Sequence, residues 1–169
     1  MITIRNETKE DVQAIYELNK TAFGSPNEAE LVDNLRNAGA VILSLVAVKD
    51  AQVIGHILFS PVHIESSDSS FLGVGLAPMA VLPQYQRKGI GSKLIRRGIK
   101  GLKEAGYSAL VVLGHADYYP RFGFVPASRY GISCEYDVAD EVFMVLLLNK
   151  MELNGKRWIV RYRPEFNAV

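Results

Sequence analysis

The sequence predicts one α/β domain with elements in the order β-α-α-β-β-β-α-β-α-β. Three observations carry this. Two amphipathic helical stripes run in tandem near the N-terminus, and a β-branched stretch between residues 42 and 82 is broken twice. Helical period then returns at 89–105, followed by short apolar strand-like runs. A chain of 169 residues is long enough to bury a proper core. Hydrophobic residues at 49% and charged residues at 22% exclude intrinsic disorder. The 19 Lys+Arg against 18 Asp+Glu leave a formal charge of +1, without the basic excess of a dedicated nucleic-acid binder. One Cys forms no intramolecular disulfide, and no apolar run approaches the roughly 18 residues of a membrane span. The opening MITIRNETKEDVQ lacks the basic-then-apolar order of a signal peptide. The expectation is a soluble, cytoplasmic protein with no membrane or nucleic-acid partner.

Residues 1–5 alternate and read as a short strand. Thr8 with Asp11 forms a capping box, and Val12, Ile15, Tyr16, Ala22 and Phe23 continue a helix that Gly24 closes. Ser25 is the next N-cap candidate, with Pro26 at the first helical position and Glu28 reaching back to the cap amide. Leu31, Val32, Leu35 and Ala38 form the stripe of this second helix, which ends at Gly39. Runs 42–49, 52–64 and 70–82 read as an antiparallel meander, broken at Lys49-Asp50 and at Ser66–Ser70. Gly73 and Gly75 in the third strand predict a bulge or a close approach to the backbone. Ile90, Leu94, Ile95, Ile99 and Leu102 line the apolar side of the helix over 89–105, which Gly106 ends. Residues 108–113 form a buried strand, 116–122 a short helix and 142–148 another buried strand. The segment from 150 to 169 is an extension of the same domain. Its Trp158, Ile159, Val160, Tyr162 and Phe166 are too apolar for a free tail, so it docks on this domain or on a second copy, which makes a homodimer one outcome.

The chemistry is concentrated in 76–94. A strand leaves through Pro83, and the turn Gln86-Arg87-Lys88-Gly89-Ile90-Gly91 opens a helix. Glycines there let backbone N–H groups face a ligand, and the helix N-terminus adds about half a positive charge. Such a turn suits a phosphate or pyrophosphate. The Walker pattern G-x-x-x-x-G-K-[ST] is absent, and the dinucleotide pattern G-x-G-x-x-G/A fails because its third slot holds Leu94.

Gln86 through Gly91 resembles the [Q/R]-x-x-G-x-[G/A] loop of the GNAT superfamily of acetyl-CoA-dependent N-acyltransferases. The preceding strand, the Pro83 exit, the helix after the loop and the later run Tyr119-Pro120-Arg121-Phe122-Gly123-Phe124 all follow that family's pattern, over roughly residues 1–150. The resemblance implies a mixed, mainly antiparallel central sheet flanked by helices. It implies acetyl-CoA as cosubstrate, without a metal. Amides of Arg87, Lys88, Gly89, Ile90, Gly91 and Ser92 would cradle the pyrophosphate, and Met79, Ala80 and Val81 would pair with the pantetheine arm. A bulge in that strand would leave an N–H for the thioester oxygen. Tyr119 occupies the family position for the general acid that protonates the departing thiolate, with Tyr118 as the rival. The implied reaction is acetyl transfer to a primary amine by direct attack in a ternary complex, no activated Cys or Ser being apparent. A protein amine as acceptor, and a non-catalytic acyl-CoA-binding module of the same fold, are the alternatives.

The general base stays open among Glu28, Glu30, His115 and a water chain. The family commonly has an Asn and a longer spacer before its Tyr, and this sequence departs from that. The cations Arg87, Lys88, Lys93, Arg96, Arg97, Lys100 and Lys103 read mainly as the solvated face of a helix, with Arg87 and Lys88 near the cofactor phosphates. Cys134 reads as a packed residue. His56 and His63 are seven apart on one strand and point to opposite faces, so they make no metal pair. The acidic run Glu135–Glu141 reads as a solvated loop that can attract a cationic amine.

Overall fold

The computed structural model describes residues 1–151, 153 and 155–169; residues 152 and 154, within the predicted extension, lie outside the described residues. Its elements are β1 (Thr3–Asn6), α1 (Val12–Phe23), α2 (Asn27–Asn37), β2 (Leu43–Lys49), β3 (Gln52–Glu65), β4 (Ser70–Val81), α3 (Ile90–Glu104), β5 (Ala109–Leu113), β6 (Val125–Pro126), β7 (Ile132–Cys134), β8 (Phe143–Leu147) and β9 (Trp158–Arg161). The strands join in the order β1-β2-β3-β4-β5-β8-β6, and β9 pairs with β3 and β7. The β4–β5 and β7–β9 pairings are parallel; β1–β2, β2–β3, β3–β9, β5–β8 and β6–β8 are antiparallel. The mixed α/β class and the helix–strand order match the sequence reading. The chain forms two compact units, Met1–Ser60 with Ala77–Lys100 and Pro164–Val169, and Pro61–Leu76 with Gly101–Arg163.

In the first unit, β2 and β3 form a hairpin in which Asp50 and Ala51 both have positive φ, at 50° and 65°. That is the two-residue turn whose twist suits paired strands. The Thr8 amide and hydroxyl both donate to the Asp11 carboxylate at the entrance to α1, and Arg5 bridges the same carboxylate at 2.7 Å. Ile15, Leu31, Val32 and Leu35 pack with Val46 and Leu58, and Phe166 of the tail joins that cluster. Three corrections concern α2. It begins at Asn27 with Pro26 as cap, Ser25 Oγ accepting only a long 3.4 Å bond from the Asn27 amide. No side-chain cap bond forms at the start of α2, and Glu28 Oε1 is buried with no hydrogen-bond partner. Ala38 is exposed, and Ala40 closes the apolar stripe instead. On α3, a Cβ at Gly98 would meet the ring of fully buried Phe59, so that glycine is what lets the helix lie close on β3.

A polar chain also crosses this unit. Arg36 grips Glu7 through two N–H groups, the Ser44 hydroxyl donates to Glu7, and His56 Nε2 lies 2.9 Å from Ser44 Oγ. Asn19 Nδ2 lies 3.3 Å from His56 Nδ1 and donates to the Ile15 carbonyl. His56 is fully buried, and that burial lowers its pKa to about 4.

In the second unit, Val62, Ile64, Val111, Phe143, Val145, Trp158 and Val160 form the core. Gly106 has φ 90°, and bonds from its amide to Lys103 and from Tyr107 to Leu102 close α3 in a Schellman motif. The predicted close approach at Gly73 is made by Ile64, whose Cδ1 a Cβ there would meet at 2.7 Å. The predicted helix at 116–122 contracts to a single 3₁₀ turn, Tyr119–Phe122. Pro120 lacks a donor, and Gly123 at φ 99° reverses the chain. The sequence reading had no β6, β7 or β9. Each is two to four residues long, too short for a period, and each exists through its pairing with a partner strand.

Candidate active site

In the first unit, β4 ends at Val81 and the Leu82 amide bonds to the Ile54 carbonyl at 2.9 Å. Pro83–Tyr85 turns once, and Gln86 Nε2 donates back to the Val81 carbonyl at 3.0 Å, tying the loop to the strand end. Arg87 at φ 62° and Gly89 at φ 83° then take the left-handed conformation, which an arginine rarely adopts. The first α3 bond runs from the Lys93 amide to the Gly89 carbonyl, leaving the amides of Arg87, Lys88, Gly89, Ile90 and Gly91 outside the helical ladder. A Cβ at Gly89 would meet nothing within 4 Å. Gln86, Arg87, Lys88 and Gly89 are exposed, Gly91 and Ser92 half-buried, and Ile90 is buried where it packs toward Gly55. Open amides, a helix N-terminus and flanking cations are what a polyanionic group requires. Met79 and Val81 are half-buried and Ala80 buried, directly after a cis Ala77–Pro78 bond.

Two residues that no motif singled out, Lys49 and Tyr85, join the loop. Lys49, at the end of β2, places Nζ 5.4 Å from the centre of the Tyr85 ring, and the loop's own Lys88 places Nζ 5.7 Å from the same centre.

In the second unit, Tyr119 is 7% exposed, and its ring lies where a Cβ at Gly114 would stand. Tyr118, Phe122 and Phe124 surround it, Tyr118 edge-on at 5.1 Å. Burial, with a smaller contribution from Tyr118, pushes its phenol up to about 12. Tyr118 is half-buried beneath the Arg121 guanidinium, 4.9 Å from its ring centre. His115 is exposed, and its carbonyl accepts from the Tyr118 and Tyr119 amides. Cys134 accepts from the Tyr136 amide, and burial raises its thiol pKa. Within the acidic run, Glu135 is engaged by the Tyr162 amide at 2.5 Å. Among the described residues, no group of His, Cys, Asp and Glu is arranged to hold a metal. Among the same residues, no helix is long and apolar enough to cross a membrane.

A family model described as an acetyltransferase (GNAT) domain matches residues 3–127. The chain belongs to this family. Among GNAT relatives, the uncharacterized N-acetyltransferase YhbS of Escherichia coli (strain K12) is 39% identical over 165 residues, 97% of this chain and 98% of that protein. The crystal structure of GNAT family N-acetyltransferase YhbS from Escherichia coli, in complex with CoA, superposes with a TM-score of 0.90 at 37% identity, covering 98% of this chain and 92% of that one. A GNAT family acetyltransferase from Brucella melitensis, in complex with acetyl-CoA, gives 0.79 at 37% identity with 98% of both chains covered.

Proposed function

We propose that the chain transfers the acetyl group of acetyl-CoA to a primary amine by direct attack in a ternary complex. The observation that carries this is the Gln86–Gly91 loop. Its amides stand outside the ladder of α3, and Arg87 and Gly89 are held left-handed. Those amides suit a pyrophosphate, with Ser92 at the first helical turn. Met79, Ala80 and Val81 offer an extended backbone to an amide-bearing arm. The CoA and acetyl-CoA held by two structures at 37% identity support the same cosubstrate. When bound, acetyl-CoA supplies the activated acyl group.

The protein's own task is to orient the amine, handle two protons and exclude water. Tyr119 is the general acid in this reading. The phenol is protonated at neutral pH as any tyrosine is, and burial, which raises its pKa to about 12, would raise the basicity of a thiolate in the same dry setting as well. Direct attack is favoured because the single thiol, Cys134, is less acidic than usual and has no activating base among its partners. Of the candidate bases, Glu28 stands out by its buried, unpartnered Oε1, whereas Glu30 and His115 are exposed. The one-cysteine composition supports a cytoplasmic setting. A homodimer would have to use surfaces other than the tail core, since Trp158 and Val160 are buried within the chain.

The test is incubation with acetyl-CoA and a panel of amines, followed by free thiol. Tyr119→Phe is expected to lower kcat roughly 10²-fold while leaving acetyl-CoA affinity nearly unchanged. Unchanged turnover would remove Tyr119 from the chemistry. Tight CoA binding with no thiol release across the panel would mark a non-catalytic acyl-CoA module instead.

A further inference from the structure

We propose that Lys49, Tyr85 and Lys88 form a side-chain clamp for a phosphomonoester, the ribose 3′-phosphate of the coenzyme. The clamp depends on the acetyl-CoA reading above and adds to it a site built partly by a strand the loop motif does not include. Lys88 belongs to the loop, whereas Lys49 ends β2 and is delivered by the tight Asp50-Ala51 turn. Both ammonium groups converge on the ring of Tyr85, at 5.4 and 5.7 Å from its centre. Neither lysine has a carboxylate partner among the described residues, and the neighbouring Arg87 is likewise unpaired.

Two ammonium groups without a carboxylate partner among the described residues therefore share one ring, and exposed Arg87 lies in the same loop. The electron-rich ring attracts both ammonium groups without neutralising them, as a carboxylate would. Each ammonium lies within a Debye length (about 8 Å at physiological salt) of the ring centre, so their potentials add there.

The two kinds of phosphate in the coenzyme make different demands. A pyrophosphate of diester type carries one charge per phosphorus and is served by backbone amides at a helix N-terminus. A phosphomonoester, with its second pKa near 6, carries about two charges at neutral pH and calls for mobile point charges such as ammonium groups. The amides of 87–91 answer the first demand, and the Lys49–Tyr85–Lys88 group answers the second. Binding of the monoester thus reads the β2–β3 hairpin as well as the loop.

The experiment measures Kd for CoA and for 3′-dephospho-CoA by calorimetry with the intact chain, wild type and variants. Lys49→Ala is expected to weaken CoA roughly five- to tenfold while leaving dephospho-CoA within about twofold, and Lys88→Ala, which also flanks the loop amides, to weaken both ligands but CoA more. Tyr85→Leu is expected to weaken CoA roughly threefold by releasing both lysines. All three positions are at least partly exposed, and unchanged melting of the free proteins would show that the fold is kept. Equal losses for the two ligands, or no loss for either, would overturn the clamp. Wild-type protein that binds neither ligand would overturn the acetyl-CoA reading and the clamp with it. CoA binding without thiol release would remove catalysis while leaving the clamp to be judged on the Kd values.

Discussion

His56 shows how far one residue's setting departs from its type. A histidine in water titrates near 6.5, but here it is wholly buried between Asn19 and Ser44, and burial lowers its pKa to about 4. Asn19 Nδ2 is a donor only, which makes His56 Nδ1 the acceptor and leaves Nε2–H to face Ser44, whose hydroxyl donates to Glu7. The charged groups around this chain are Glu7, Arg36 and Asp33. For Glu7, burial acts to raise the pKa, but the hydrogen bonds from Arg36 and Ser44 outweigh it and the net direction is down. The signs agree. As pH falls from about 6.5 to about 4, the unfolded chain takes up a proton at His56 that the folded chain refuses, so stability is lost over that window. The loss is on the order of 3 kcal/mol, and Glu7 adds to it below its ordinary range. Urea midpoints measured across this window are expected to fall with pH in the wild type and to flatten in His56→Gln. An equal slope in the variant would assign the effect to other groups.

At the scale of elements, the contact between α3 and β3 is decided by a missing side chain. Alanine in a helix interior is ordinarily worth about 1 kcal/mol over glycine. At Gly98 the added methyl meets the ring of Phe59, which is fully buried. Overpacking costs of about 1–3 kcal/mol outweigh the propensity gain. Gly98→Ala is therefore expected to lower the thermal midpoint, and a higher midpoint would show that the helix has freedom to shift. The loop before α3 is set by similar local means. Gln86 ties it to Val81, Arg87 and Gly89 are left-handed, and buried Ile90 and Leu94 anchor the helix behind it.

Over the whole molecule, a formal charge of +1 conceals an uneven distribution. Arg87 and Lys88 stand exposed around the loop amides with Lys49 beside them, while the acidic run Glu135–Glu141 belongs to the other unit. Steering of a polyanion by the local field is then expected despite near-neutrality. The KM for acetyl-CoA should rise several-fold as salt goes from about 0.05 to about 0.3 M, because screening shortens the reach of those cations. A salt-independent KM would place the affinity in the backbone amides alone.

Much of the fold and the loop was legible in the residues because it is written over short distances. Apolar spacing marked α1, α2, α3 and the long strands, and glycine placement marked where the chain turns at Gly24, Gly89 and Gly106. Two glycines after a strand exit announced a turn that opens a helix, since its conformations belong to six consecutive residues. Other features depend on residues far apart along the chain. Lys49 meets the Tyr85 ring because the β2–β3 hairpin closes, Glu28 keeps a buried oxygen rather than a cap, and His56 finds Glu7 only through Ser44. β7 and β9 exist because each lies in register with the other, Ile132 opposite Trp158. Periodicity records which face of an element is apolar, and local turns record themselves. Which distant charge or ring fills the space beside them follows from pairing register and packing, and no single stretch of sequence carries that information.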